Sequence, residues 1–173
     1  WTTIPLTLIG NVALAINNKI IYYKVKSSKL KVHSEIQNPK NNEIYIVAKE
    51  RIGNTFQDQE VEILEEYEGE GLVGKKYKPL FDYYQNKDLP NKENGWKIYA
   101  GDFVTTEDGT GVVHIAPAFG EDDLNLSYKY KLPFIQHVGM DGIIKEEAKD
   151  FAGFSVKPKN DYTKTDVEVI KYL

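Results

Sequence analysis

Short apolar stretches punctuated by turn-forming residues constrain this chain more than any other feature of its 173 residues. Asn11–Asn17 (NVALAIN) and Lys19–Lys26 (KIIYYKVK) flank an Asn17–Asn18 turn and read as a β-hairpin. Glu43–Ala48 (EIYIVA) reads as a third strand leading into a short helix near Lys49–Asn54, and Val61–Tyr67 (VEILEEY) alternates like a half-buried strand. Polar Tyr83–Asn94, which contains Pro90, lacks an apolar period and is expected to be a surface loop. Further strands are expected at Trp96–Ala100, Asp102–Thr105, Gly111–Ala116 and Phe134–Val138, with turns at Asp108–Gly109 and Asp141–Gly142. Glu121–Tyr130 reads as a helix whose acidic first turn suits the macrodipole. Thr165 and Glu168 have capping-box spacing and predict a last helix. The sum is a mostly β, α+β single domain spanning residues 1–173, with a closed or partly closed barrel and peripheral helices.

The length fits one domain with a sizeable core. No apolar run approaches the roughly 20 residues that span a bilayer, so no membrane partner is expected. Without cysteine there are no disulfides, no thiolate chemistry and no cysteine–zinc sites, which is compatible with a cytoplasmic location. His33, His114 and His137 lack ligand spacing, so no metal is expected, and no cofactor motif is present. A net charge of −4 argues against a strongly electrostatic nucleic-acid binder but allows a module that handles only the end of an RNA. The lysine clusters Lys24, Lys26, Lys29, Lys31 and Lys75, Lys76, Lys78 read as solvated faces or as phosphate contacts. The chain opens at Trp1 without an initiator methionine, and both ends read as cut from something larger.

Two segments carry the candidate chemistry. In Trp1-Thr2-Thr3-Ile4-Pro5-Leu6-Thr7, Pro5 fixes its own φ and keeps Ile4 extended, so the hydroxyls before it follow a defined path. Such a segment reads either as a site wall or as an ordinary strand. In Gly109–Asp123 (GTGVVHIAPAFGEDD) a strand bearing His114 runs through Pro117 and Gly120 into a helix opening with Glu121, Asp122 and Asp123. Junctions of this kind set polar groups at a sheet edge, where pockets form. There Asp123 could hold an ammonium group and His114 could gate a small side chain; capping and a structural histidine are the alternatives.

Together these segments resemble the paired signatures of the editing insert of isoleucyl-, valyl- and leucyl-tRNA synthetases. The first stands as WTTIPLTLIGN where the isoleucyl branch usually reads WTTTPWTLPSN, and the second matches that branch closely. The valyl and leucyl versions usually carry Lys or Met at His114 and Arg at Ile4. The likeness runs through QHVGMDG to the final VKPKNDYTKTDVEVIKYL.

The resemblance implies a β-barrel-like editing domain and hydrolysis of valine from the 3′ end of isoleucine tRNA. A pocket that fits isoleucine cannot strongly reject valine, because one methylene is worth roughly 1–3 kcal/mol, a general value for which these synthetases are themselves the standard case. Asp123 would anchor the α-ammonium, and Thr2 and Thr3 would line the ester and terminal ribose. Thr7, His114 and Ile4 would surround the substrate, with Trp1 beginning the motif. The implied partners are the aminoacylated tRNA end and the rest of the parent synthetase, in the cytoplasm, with a monomeric protein and no cofactor. Ile4 deletes a hydroxyl, Leu6 replaces tryptophan and Ile9-Gly10 replaces Pro-Ser or Pro-Ala. These departures raise a second reading, an insert that binds the aminoacylated end but has lost hydrolysis. A valyl-type domain acting on threonine is a third reading, against which His114 argues.

Overall fold

The computed structural model describes residues 2–27, 43–57 and 59–173. Among them lie β1 (Ala13–Ile16), β2 (Ile21–Ser27), β3 (Glu43–Ala48), α1 (Ile52–Phe56), β4 (Val61–Glu68), β5 (Ile98–Ala100), β6 (Val112–Ile115), α2 (Glu121–Tyr130) and α3 (Lys164–Tyr172). One three-stranded sheet has the order β5-β1-β6 and the other β3-β2-β4. The described residues are therefore mixed α+β, with no closed barrel among them. No helix among them is long and apolar enough to cross a membrane. Residues group into two compact units, one of Ala15–Lys75 and Ile98–Val113, the other of Thr2–Leu14, Lys76–Lys97 and His114–Leu173.

In the first unit β2 lies between antiparallel β3 and β4, with Tyr22 facing Ala48 and Tyr67. The register slips between Lys24 and Val25, a bulge that twists the strand locally. Ile16, Tyr22, Ala48 and Leu72 form one buried cluster, and Val25, Val47 and Phe56 another. Burial alone would leave the Tyr22 hydroxyl costly, so it donates to the Gly111 carbonyl (2.8 Å) and accepts the Asn17 N–H (3.1 Å). Arg51 is satisfied by carbonyls, those of Gly109 and Glu107 at 2.8 Å and Thr106 at 3.3 Å. This fork holds the turn that was expected at Asp108–Gly109. Lys24 pairs with Glu65 at 3.5 Å on a solvated face, while Lys29, Lys31 and His33 lie outside the described residues.

The expected hairpin does not form, because β1 and β2 belong to different sheets. Asn17 is the cause. Its side-chain oxygen accepts the Lys19 N–H (3.0 Å) and its amide donates to the Val104 carbonyl (3.1 Å), so a side-chain turn replaces strand pairing. The Gly69 N–H then takes the Ile20 carbonyl at 2.9 Å. Asp102–Thr105 is irregular for the same reason: the Val104 carbonyl is used by Asn17, and its N–H goes back to Gly101 at 3.1 Å. β4 has the expected extent but not the expected burial, since Ile63 and Leu64 are exposed.

The second unit packs Leu6, Ile9, Phe81, Tyr83, Ile144, Ala148, Phe151 and Val169 into one core. The stretch read as a polar loop is anchored at its start, where Tyr83 stacks on Phe81 (5.6 Å, 19°) and donates to Asp150 at 2.6 Å. Only a single bridge, Val138 to Ile144, survives of the strand expected at Phe134–Val138. The turn after it is present, with Gly142 at φ +74°. α3 begins at Lys164 rather than at a capping box, because the Thr165 hydroxyl donates instead to the Ser155 carbonyl (2.6 Å).

Gly111 has φ +74°, and a Cβ there would lie 2.4 Å from the Ala48 Cβ. Left-handed strain and overpacking add, so Gly111→Ala is expected to destabilise the protein by about 2–4 kcal/mol, read as a lowered midpoint in urea.

Candidate functional site

Pro5 opens a 3₁₀ helix over Pro5–Gly10, so the hydroxyl-rich segment is not an ordinary strand. Proline suits that first position because its missing N–H would be unpaired anyway. Ile4 before it lies at φ −130° and ψ 88°, short of the extended conformation expected but outside the helical region that the proline disfavours. The Thr2 hydroxyl accepts the Ile4 N–H at 3.1 Å, a local turn that shapes the entry to the segment. Thr3 and the Ile4 side chain are exposed, whereas Thr7 is buried. Leu6 and Ile9 point into the core, so these two departures from the usual signature are packing changes. The Leu6 N–H donates to Asp166 at 2.8 Å, which fastens the segment to α3. Trp1 lies outside the described residues.

Thr7 and His114 meet. The Thr7 hydroxyl lies 2.7 Å from the Ile4 carbonyl and 3.0 Å from His114 Nε2. A hydroxyl has one proton, and the carbonyl can only accept, so Thr7 donates to Ile4 and accepts from the ring. That assigns the Nε2–H tautomer to His114 by its hydrogen bonds. Its Nδ1 is then a buried acceptor without a protein partner. Burial pushes the His114 pKa down to about 4, which keeps the ring neutral at physiological pH.

Asp123 stands in the first turn of α2, as expected. One carboxylate oxygen accepts the Ala116 N–H at 2.7 Å. Gly120 permits this close approach, since a Cβ there would come within 3.2 Å of the carboxylate carbon. Burial raises the Asp123 pKa, against the Ala116 hydrogen bond and with help from Asp122. A half-buried carboxylate of this kind gains from a bound cation. Ile4, Thr7 and His114 thus form one bonded set, and Asp123 is fixed to the residue two places beyond His114. Among the described residues Thr2 bonds to Ile4 within its own segment, and no hydrogen bond ties it or Thr3 to Asp123.

Sequence reasoning passed over His137. Its ring is wholly buried, 4.7 Å from that of Phe119 between centroids, and burial lowers its pKa to about 4. No spacing rule reveals such a contact, though the glycine at position 10 hints at it. A cavity of about 580 Å³ is lined by Lys87, Lys145, Glu146, Glu147 and Lys149, none of them a residue named from the motifs. Among the described residues no three histidine or acidic side chains are grouped to hold a metal ion.

Known proteins share this architecture. The editing domain of the cytosolic leucyl-tRNA synthetase of Plasmodium falciparum superposes with a TM-score of 0.56 over 98 % of this chain and 65 % of that one, at 17 % identity. That of Plasmodium knowlesi gives 0.54 over 98 % of this chain and 69 % of the other, at 18 % identity. The fold is therefore that of a synthetase editing domain. No family model matches the chain. An isoleucine–tRNA ligase of Clostridium tetani is 38 % identical over all 173 residues, and a probable cytoplasmic one of Dictyostelium discoideum is 37 % identical over 91 % of the chain. The chain belongs to the isoleucine–tRNA ligase family and spans 14 % of the length of these relatives.

Both buried histidines are held near 4 rather than the ordinary 6.5, so only the unfolded chain takes up their protons between those values. Stability is full above about pH 6.5 and falls as pH drops towards 4, by on the order of 3 kcal/mol for His137 alone. Urea melts at pH 7 and 4.5 are expected to show this loss, and His137→Phe should reduce it; an unchanged pH dependence would contradict the assignment.

Proposed function

We propose that this chain is a single post-transfer editing domain that hydrolyses the ester of valine wrongly joined to isoleucine tRNA. The observation that carries the proposal is the Thr7–His114 bond, which joins the two signature segments at 3.0 Å beside the strand–helix junction bearing Asp123. The substrate's α-ammonium pairs with Asp123, whose burial makes an unpaired negative charge costly. Thr7 and His114 bound the side-chain pocket and exclude isoleucine by size. Thr2 and Thr3 face the ester and terminal ribose, with Ile4 completing the wall. His114 Nδ1, a neutral acceptor, suits a water or ribose hydroxyl. No side chain is an obvious general base, so rate comes from positioning a water and from polar groups around the developing charge.

The partners are the aminoacylated end of tRNA and the remainder of the synthetase, with a monomeric protein in the cytoplasm and no cofactor. Deacylation of valyl-tRNA for isoleucine, measured in the full-length synthetase with isoleucyl-tRNA as control, tests this. Asp123→Ala is expected to lower kcat/KM by about 10- to 100-fold, the worth of one hydrogen bond to a charged group. Hydrolysis absent in the wild type, or unchanged in the variant, would reject the proposal.

A second reading, binding without hydrolysis, draws on Ile4. Its exposed side chain (48 %) stands where the usual signature has a third threonine hydroxyl. Ile4→Thr is expected to raise the deacylation rate several-fold; an equal rate in both proteins would remove the support for this reading.

A further inference from the structure

The fully buried ring of His137 touches both signature segments, at Gly10 and at Phe119. A Cβ on Gly10 would lie 2.8 Å from its Nδ1, 3.2 Å from its Cε1 and 3.3 Å from Cε2 of Phe119. Position 10 therefore has no room for even an alanine while the ring is in place. Phe119 packs against the same ring, 4.7 Å away between centroids with the planes tilted by 48°, so Gly10 meets both rings. The Leu6 backbone also lies against the imidazole, yet neither ring nitrogen reaches a partner of good hydrogen-bond geometry. The main chain of His137 is tied down separately, its carbonyl accepting the Lys145 N–H at 2.8 Å.

A buried imidazole with two unpaired nitrogens is unfavourable compared with a hydrocarbon of the same shape. What the ring supplies here is shape. It is a flat ring that fills the space left by Gly10 and packs against Phe119. Gly10 ends the 3₁₀ segment that carries Thr7, and Phe119 comes just before the Gly120 turn that aims Asp123. The ring thus touches both the segment that carries Thr7 and the one that leads into α2.

We propose that His137 is a positioning residue for the editing site, its buried ring packed against both Gly10 and Phe119 so that it braces the two segments that hold the substrate. The meaning of this role rests on the editing function above. It is tested by a cycle of Gly10→Ala, His137→Ala and the double variant in the full-length synthetase, measuring thermal melts, kcat and KM for valyl-tRNA. Each single change is expected to lower kcat by about tenfold or more, as misplaced groups do. The double variant should recover part of the loss, because removing the ring clears the added methyl, with a coupling of about 3- to 100-fold. His137→Phe keeps a flat ring and should retain kcat within about threefold.

Strictly additive losses would overturn the proposal. So would melting temperatures that fall while kcat of the folded enzyme stays constant, which marks a purely structural residue. Loss of kcat in His137→Phe would reassign the ring to proton transfer. The same cycle read as affinity for an amide-linked, non-hydrolysable valyl-adenosine separates the two ideas. Coupling there with an inactive wild type sustains the positioning role while rejecting hydrolysis, and additivity there rejects the positioning role.

Discussion

The hydrogen bond between Thr7 and His114 joins side chains 107 positions apart, and the organisation of the candidate site follows from it. It demands that Thr7 be buried, and Pro5 meets that demand by starting a helical turn that rolls Leu6 and Ile9 into the core and Thr7 towards β6. It also demands a neutral imidazole, because a second ring proton would have no acceptor where Nδ1 is buried. Desolvation supplies that neutrality. One contact thereby couples local backbone preference, core packing and proton position.

Asp123 obeys the opposite logic. Its carboxylate is kept half-buried with a single backbone donor, which is insufficient compensation for a charge. A structural cap would be better satisfied than this. In the proposed function that deficit is what an incoming ammonium group would relieve, and Gly120, which has no side chain to push the carboxylate away, maintains it.

Local signals made much of the fold legible. The acidic first turn and apolar spacing of Glu121–Tyr130 define α2 to the residue, and EIYIVA defines β3 equally well. Failures came where side chains compete with backbone pairing. Asn17 looked like a hairpin turn residue but uses its amide to send β2 into another sheet. Thr165 looked like a cap but its hydroxyl is drawn to Ser155 by tertiary contact. At the candidate site the resemblance singled out Thr7, His114 and Asp123, and the structure brings the first two into hydrogen-bond contact. His137 was not singled out, since a brace is defined by its neighbours in space and leaves only a glycine as its trace.

The Ile4 carbonyl, which accepts the Thr7 hydroxyl and the Thr7 N–H, belongs to the main chain. Any of the amino acids offers the same oxygen there. Orientation of the histidine proton is thus insulated from drift at position 4, because a change of side chain there leaves the accepting oxygen in place. The exposed surface at position 4 can be altered while the Thr7–His114 pair keeps its polarity.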